Sequence, residues 1–155
     1  MIRHGWFDPH FELTDGNTVY GRLTYDFIFR RNADAAGANR RWTFRSPLFL
    51  RNGIDIIDET GTVVGEAWRE FFSRTINLKL NNGFEAVFYR TSIFSRERVW
   101  ESPAYGTFLR MRSYPFMYKD EFEITSPLIP AETATLLMLL STHIVILLRR
   151  RRAAR

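Results

Sequence analysis

Along most of this chain apolar and polar residues alternate one by one, and only near its end does the pattern change. Val19, Gly21, Leu23, Tyr25, Phe27 and Phe29 fall on one side of an extended chain; Tyr20, Arg22, Thr24, Asp26 and Arg30 fall on the other, with Ile28 the exception. Alternation over that length predicts a half-buried strand, because successive strand side chains point to opposite faces. The same period marks Ile76 to Leu80 and Phe84 to Arg90. Further extended stretches are expected at Phe11 to Leu13, Trp42 to Arg51 (broken by Ser46-Pro47), Ile54 to Ile57, Thr62 to Phe72, Ile93 to Glu101, Tyr105 to Arg112 and Phe116 to Thr125. Asp15-Gly16-Asn17, Asn52-Gly53, Asp58 to Gly61 and Asn81-Asn82-Gly83 carry turn chemistry between them. Asn32 to Asn39 is small and polar and reads as a mobile loop. Turns recurring every eight to twelve residues or so give the rhythm of an all-β sandwich or barrel.

The change comes at Pro130. From there to Leu148 the sequence reads as one helix, with Pro130 suited to its start, Glu132 in the first turn and arginines from Arg149 onward at its end, all favourable to the helix dipole. Thr133, Ser141, Thr142 and His143 lie at well-separated angles among leucines, isoleucines and valine, so no polar stripe exists. A helix apolar all round must be covered all round, by protein or by lipid. Ala134 to Leu148 spans roughly 22 Å, short of the roughly 30 Å hydrocarbon core. With no signal-like N-terminus, a tail anchor would also carry the arginines across the membrane, against the positive-inside tendency. The sequence therefore favours a buried central helix, with C-terminal membrane anchoring as an alternative. Strands that curl around such a helix need a barrel wider than eight strands.

Composition sharpens this picture in two places. The chain has 155 residues, fourteen Phe, six Tyr, four Trp and no cysteine, which fits one well-packed domain and excludes disulfides, thiolate metal sites and a cysteine nucleophile. The formal charge of +5 is local: without Arg149, Arg150, Arg151, Arg152 and Arg155, the 17 remaining basic residues balance 17 acidic ones. The basic balance is thus no sign of a nucleic-acid-binding body, and no nucleic-acid partner is expected.

Candidate chemistry is sparse. His4, Asp8 and His10 do not have the spacing of helical metal ligands, Asp55, Asp58 and Glu59 do not follow a calcium-loop pattern, and no metal or other cofactor is expected. No nucleophile elbow, phosphate loop or dinucleotide fingerprint is present, so no catalytic residue is assigned. His143 reads as a buried histidine satisfied by a neighbour, or one close to the barrel mouth, rather than a catalytic base. The candidate lipid- or anion-binding residues are Arg149, Arg150, Arg151, Arg152 and Arg155 in the tail, and Arg40, Arg41 and Trp42, a basic–aromatic mix. Arg96 with Arg98, and Arg110 with Arg112, read as solvated strand faces.

One local motif occurs twice. Leu13 to Gly21 and Ile57 to Gly65 both run strand, acidic turn, then Thr-Val-x-Gly. Shared turn chemistry accounts for this without duplication. Gly65, where a strand side chain would normally pack, predicts a bulge or a close backbone approach. The stretch Ile57 to Gly65, followed by paired short strands and a closing apolar helix, resembles the tubby-like superfamily, which includes tubby C-terminal domains, phospholipid scramblases and LURP-one-related proteins. The resemblance implies a mainly β fold: a closed antiparallel barrel of about twelve strands around a central hydrophobic C-terminal helix. It makes residues 1–155 a single domain, with central helix 130–149 and basic tail 150–155. It transfers no site residue, because the basic clusters with which tubby domains bind phosphoinositides have no match here. The functional expectation is a non-enzymatic, cytoplasmic binding module for a peripheral membrane surface, a phospholipid headgroup or a protein partner. Its alternative is a small-ligand carrier or enzyme with a pocket at the barrel mouth.

Overall fold

A computed structural model of the chain describes residues 2–4, 10–25, 32–46, 53–70, 73–114 and 119–153; for 2–4 and 151–153 only the backbone enters the account. Eleven antiparallel strands form one sheet in which each strand pairs with the next in sequence: β2 (His10–Thr14), β3 (Val19–Thr24), β4 (Ala33–Ala36), β5 (Arg41–Arg45), β6 (Gly53–Asp58), β7 (Val63–Arg69), β8 (Ile76–Leu80), β9 (Glu85–Arg90), β10 (Glu97–Ser102), β11 (Gly106–Tyr114) and β12 (Lys119–Ile124). A short segment, β1 (Ile2–His4), pairs with β2, and at Ile2 also with Lys119 of β12. One helix, α1 (Ala131–Ala153), ends the chain. It runs past Arg149, so Arg150 to Ala153 continue the helix where a tail was expected.

Two expectations from the alternation need correction. The stretch read as a loop contains β4, with Ala33 and Ala35 buried and Asp34 outward. Alanine and aspartate are poor strand formers, and here packing overrides propensity. Strand β10 begins at Glu97, and the earlier residues from Thr91 to Arg96 form a turn. The long alternating run from Val19 is a strand only to Thr24, with Gly21, Leu23 and Tyr25 inward as expected; residues 26–31 lie outside the described set, as do Asn52 and the stretches 47–51, 71–72 and 115–118.

The repeated motif is a repeated device. Asp15 Oδ1 accepts the N–H groups of Asn17 and Thr18 at 2.9 Å each, and Asp58 Oδ1 accepts those of Thr60 at 2.9 Å and Thr62 at 3.0 Å. Both carboxylates act as fixed acceptors inside their turns. Gly16 and Gly61 take the left-handed conformation, φ 100° and 84°, that closes each turn. Past the turn each hairpin carries a bulge, between Leu13 and Thr14 in one and between Ile56 and Ile57 in the other, opposite the residues ending in Gly21 and Gly65. The extra residues are Tyr20 and Val64, on β3 and β7. At Gly65 a Cβ would stand 2.5 Å from Leu80 Cδ2 and 3.1 Å from the Lys79 carbonyl oxygen, the close approach expected there.

Around α1 the packing is uneven. The helix runs closest to β3, β4, β11 and β12. On the β3–β4 side the sheet presents Gly21, Ala33, Ala35 and, just beyond β4, Gly37; a Cβ on Gly21 would meet Leu139 Cδ1 at 3.3 Å. The rest of the interior is filled by large rings: Trp100, Phe88, Phe108 and Phe44 are fully buried, and Phe88 stacks on Trp100 with centroids 4.8 Å apart. Seven consecutive helix residues, Leu139 to Val145, are each no more than 3% exposed. At 100° per residue they cover every direction around the axis, so the helix is enclosed by protein.

Its buried polar side chains take partners at Ser141, Thr142 and His143 Nδ1, while His143 Nε2 has none. The Trp100 indole N–H donates to Ser141 Oγ at 2.7 Å, and the Ser141 hydroxyl donates to the Leu137 carbonyl at 2.5 Å. Thr142 Oγ1 donates to the Met138 carbonyl at 3.1 Å. His143 Nδ1 lies 2.5 Å from the Tyr25 hydroxyl, and the imidazole is flanked by the Tyr25 and Phe44 rings. Each unmet buried polar group would cost about 1–3 kcal/mol, so these pairings set the helix in one rotation and one depth.

Candidate functional site

The antiparallel order places β9's end, β10's start, β11's end and β12's start at one rim, together with the C-terminus of α1. Local hydrogen bonds tie these elements together. The Ser113 N–H donates to the Arg96 carbonyl at 3.1 Å, Ser113 stands opposite Asp120, and Asp120 pairs with Arg149 at 3.5 Å. The turn before β10 and the end of the helix are thus about two strand spacings apart, on the order of 10 Å.

Register then shows which arginines face inward here. Cross-strand partners share a face. Arg90 and Arg98 are opposite one another, and Arg98 is opposite the buried Met111; Arg69 is opposite Ile76, which is opposite the buried Phe88. All three arginines are half-buried, unlike the exposed Arg110 and Arg112. From the helix, Arg149 reaches Asp120, and the Arg150 guanidinium lies 5.1 Å from the centroid of the Tyr25 ring. Five arginines therefore lie on the inner side of one rim. Asp120 faces the same side and pairs with Arg149, while Glu70 and Glu97 stand next to Arg69 and Arg98 in the chain.

The outer wall is arranged differently. Arg110 and Arg112 stand opposite Glu123 and Glu121, and Arg112 is 3.9 Å from Glu97. Each outward arginine thus has a carboxylate across the strand, as a solvated face requires. Arg96 lies in the turn before β10, and Arg98 belongs to the inner row, so these two do not form the solvated pair that their spacing suggested.

The candidates read from the sequence do not form one site. Arg149 and Arg150 belong to this rim; Arg151 and Arg152 continue the helix with side chains outside the described set, and Arg155 lies outside the described residues. Arg40 and Arg41 sit at the opposite rim, beside the start of α1. Glu132 and Arg149 are seventeen helical steps apart, about 25 Å. Arg40 bridges Glu132 at 2.8 Å and Glu59 at 3.3 Å, which ties the helix start to two strand connections. Trp42 points inward and is 5% exposed, so it shares no surface with the exposed Arg41. Strand alternation sends neighbours to opposite faces, and adjacency in sequence misplaces such a cluster.

Beneath the basic rim lies the Tyr25–His143 pair. Burial, and then the nearby charge of Arg150, hold the His143 imidazole down at about 3, while burial raises the Tyr25 phenol. Both are neutral at physiological pH. His143 is 0% exposed, a core group with no substrate access; its Nδ1 faces the Tyr25 hydroxyl, while its buried Nε2 has no hydrogen-bond partner. Among the described residues no three histidine, aspartate or glutamate side chains converge as metal ligands. Of the cluster at the N-terminus, Asp8 and the His4 side chain lie outside the described set. A shallow groove of about 390 Å³, lined by Trp68, Asn77, Val87, Glu101 and Pro103, crosses the outer wall over β7 to β10. Its Glu85 and Pro103 lie at strand ends opposite the rim of Arg149.

Two signals could have revealed the inner arginines beforehand. Arg90 lies two residues beyond Phe88, and Arg69 two beyond Ala67, each on the face of a buried residue at a strand's end. Comparison with protein-family models, curated proteins and solved structures finds no significant match, so the resemblance to the tubby-like superfamily rests on the sequence pattern alone.

Proposed function

We propose that this chain is a non-enzymatic, cytoplasmic module that binds anionic phospholipid surfaces peripherally, through the rim at the C-terminus of α1. The observation that carries this is the placement of Arg69, Arg90, Arg98, Arg149 and Arg150 on the inner side of one rim, with Asp120 facing the same way. Arginine forks match phosphate oxygens, and each basic residue near an anionic surface contributes about 1 kcal/mol. The helix arginines also answer the negative end of the dipole, which accounts for their position but not for the inward strand arginines.

We further propose the finer fold, a closed barrel of about twelve strands of the tubby-like kind. Two features support it: Ile2 pairs with both Lys119 and Glu12, and α1 is enclosed in every direction. The helix is long and apolar enough to cross a membrane. Anchoring it there would strip the interior of its filling and separate Trp100 from Ser141 and Tyr25 from His143, so the enclosed helix is the better reading.

Vesicle co-sedimentation tests the function. The full chain should pellet with phosphatidylserine vesicles at low salt, weaken steeply at physiological salt, and ignore phosphatidylcholine. Arg90→Gln with Arg98→Gln should lower partitioning by about 30-fold, the equivalent of two lost contributions of about 1 kcal/mol. Arg110→Gln with Arg112→Gln, on the outer wall, should change it little. A full chain that stays in the supernatant at low salt would overturn the reading.

A further inference from the structure

The turn between β9 and β10 carries the most exposed large apolar side chain among the described residues. Phe94 is 91% exposed and its neighbour Ile93 63%. The turn is nonetheless well built without them. The Thr91 N–H donates to the Glu97 carbonyl at 3.2 Å, the Ser95 N–H to the Ser92 carbonyl at 3.2 Å, and Ser95 Oγ accepts both the Glu97 N–H and the Thr91 hydroxyl at 3.0 Å. Arg90 Nη1 donates to the Ile93 carbonyl at 3.5 Å. The fold holds two adjacent apolar side chains outward on a braced turn and gains no burial from them.

Isolated exposed hydrophobic residues are ordinary. Val19, Val63, Ile124 and Leu128 are exposed as well, but they belong to the opposite rim, where Arg40 is engaged by Glu59 and Glu132. Ile93 and Phe94 differ in two respects. They are consecutive at the apex of a turn, and that turn is hydrogen-bonded through Ser113 to the strand beside Asp120 and Arg149. Apolar residues at a tip with cations around the base match a bilayer interface, in which acyl chains lie beneath a layer of phosphates.

We infer that the turn Thr91 to Arg96 is a membrane-insertion tip: Ile93 and Phe94 enter the boundary of the acyl chains while the rim arginines engage phosphates above them. This rests on the anionic-surface reading and adds to it the element that penetrates. Purely electrostatic binding disappears at high salt; inserted apolar area does not.

The absence of cysteine in this chain allows a single label. The full chain carrying Phe94→Cys, labelled with an environment-sensitive fluorophore, is mixed with vesicles of phosphatidylserine and phosphatidylcholine. Its emission should shift to the blue and be quenched by spin labels placed shallowly on the lipid chains. A label at Leu128→Cys, on the opposite rim, should do neither. In co-sedimentation, Ile93→Ser with Phe94→Ser should weaken binding on the order of tenfold per residue and remove the salt-resistant part. Both side chains are exposed, so its melting temperature should match wild type. If the wild type binds but the Phe94→Cys label is unmoved and the serine variant binds equally well, insertion is refuted while the electrostatic reading stands. If both labels shift alike, the tip has no special role. If the wild type does not bind at all, the underlying reading fails and the tip with it.

Discussion

Acid should destabilise this protein earlier than its carboxylates can explain, and His143 should be the cause. Its imidazole is 0% exposed, 2.5 Å from the Tyr25 hydroxyl, and held at about 3 by burial and by Arg150. An unfolded histidine titrates near 6.5. Between these values the unfolded chain takes up a proton that the native chain refuses, so stability falls as pH falls from about 6.5 and is flat above it. The slope approaches about 1.4 kcal/mol per pH unit, and by pH 5 the loss relative to pH 7 is about 2 kcal/mol. The carboxylates with depressed values, Asp15, Asp58, Glu59 and Glu121, contribute stability that is lost only below their ordinary values of 3.8 to 4.5, so the interval from pH 7 to 5 isolates the histidine. The assay is urea unfolding at fixed pH steps, comparing wild type with His143→Leu. The variant loses the hydrogen bond and starts from lower stability, but the slope is the readout. Tyr25→Phe, which removes the partner and keeps the imidazole, should retain the slope. A wild-type stability that is flat from pH 7 to 5, or equal slopes in wild type and His143→Leu, would refute the reasoning.

Two further outcomes follow from packing. Gly65→Val should cost about 1–3 kcal/mol in urea unfolding, because its Cβ meets Leu80 Cδ2 at 2.5 Å and the less movable Lys79 carbonyl oxygen at 3.1 Å. Combined with Leu80→Ala the cost should be less than additive, and strict additivity would mean that the contact is not the cause. Ser141→Ala should cost about 1–3 kcal/mol by leaving the buried Trp100 N–H unmet, and a change under about 0.5 kcal/mol would show that the indole finds another acceptor.

Much of the architecture was legible in the residues because it depends on short periods. Alternation located most strands, Asp15 and Asp58 announced two hairpins with the same turn chemistry, and the missing polar stripe between Pro130 and Leu148 required a helix covered on all sides. Gly65 announced its close approach because a strand interior otherwise has room for a side chain. Strand β4 was hidden for the opposite reason: Ala33, Asp34 and Ala35 carry little strand propensity, and what makes them a strand is the need for small side chains where α1 runs against the sheet.

The site depended on distances that no local pattern contains. Sequence adjacency grouped Arg40, Arg41 and Trp42, yet the chain sends Trp42 inward and leaves the arginines at the rim opposite Arg149. Arg69, Arg90 and Arg98 share a rim only because antiparallel pairing returns every second strand end to the same side. Whether a strand-end arginine faces inward is set by its register against a partner such as Met111, and register is fixed by turns and bulges elsewhere. Residue by residue, then, the sequence determined which segments are extended and that the last helix must be enclosed, because both follow from burying apolar side chains at a fixed local period. Which charges share a surface, and which ring receives each polar group of the helix, was decided by the tertiary structure, because those are consequences of pairing between segments dozens of residues apart.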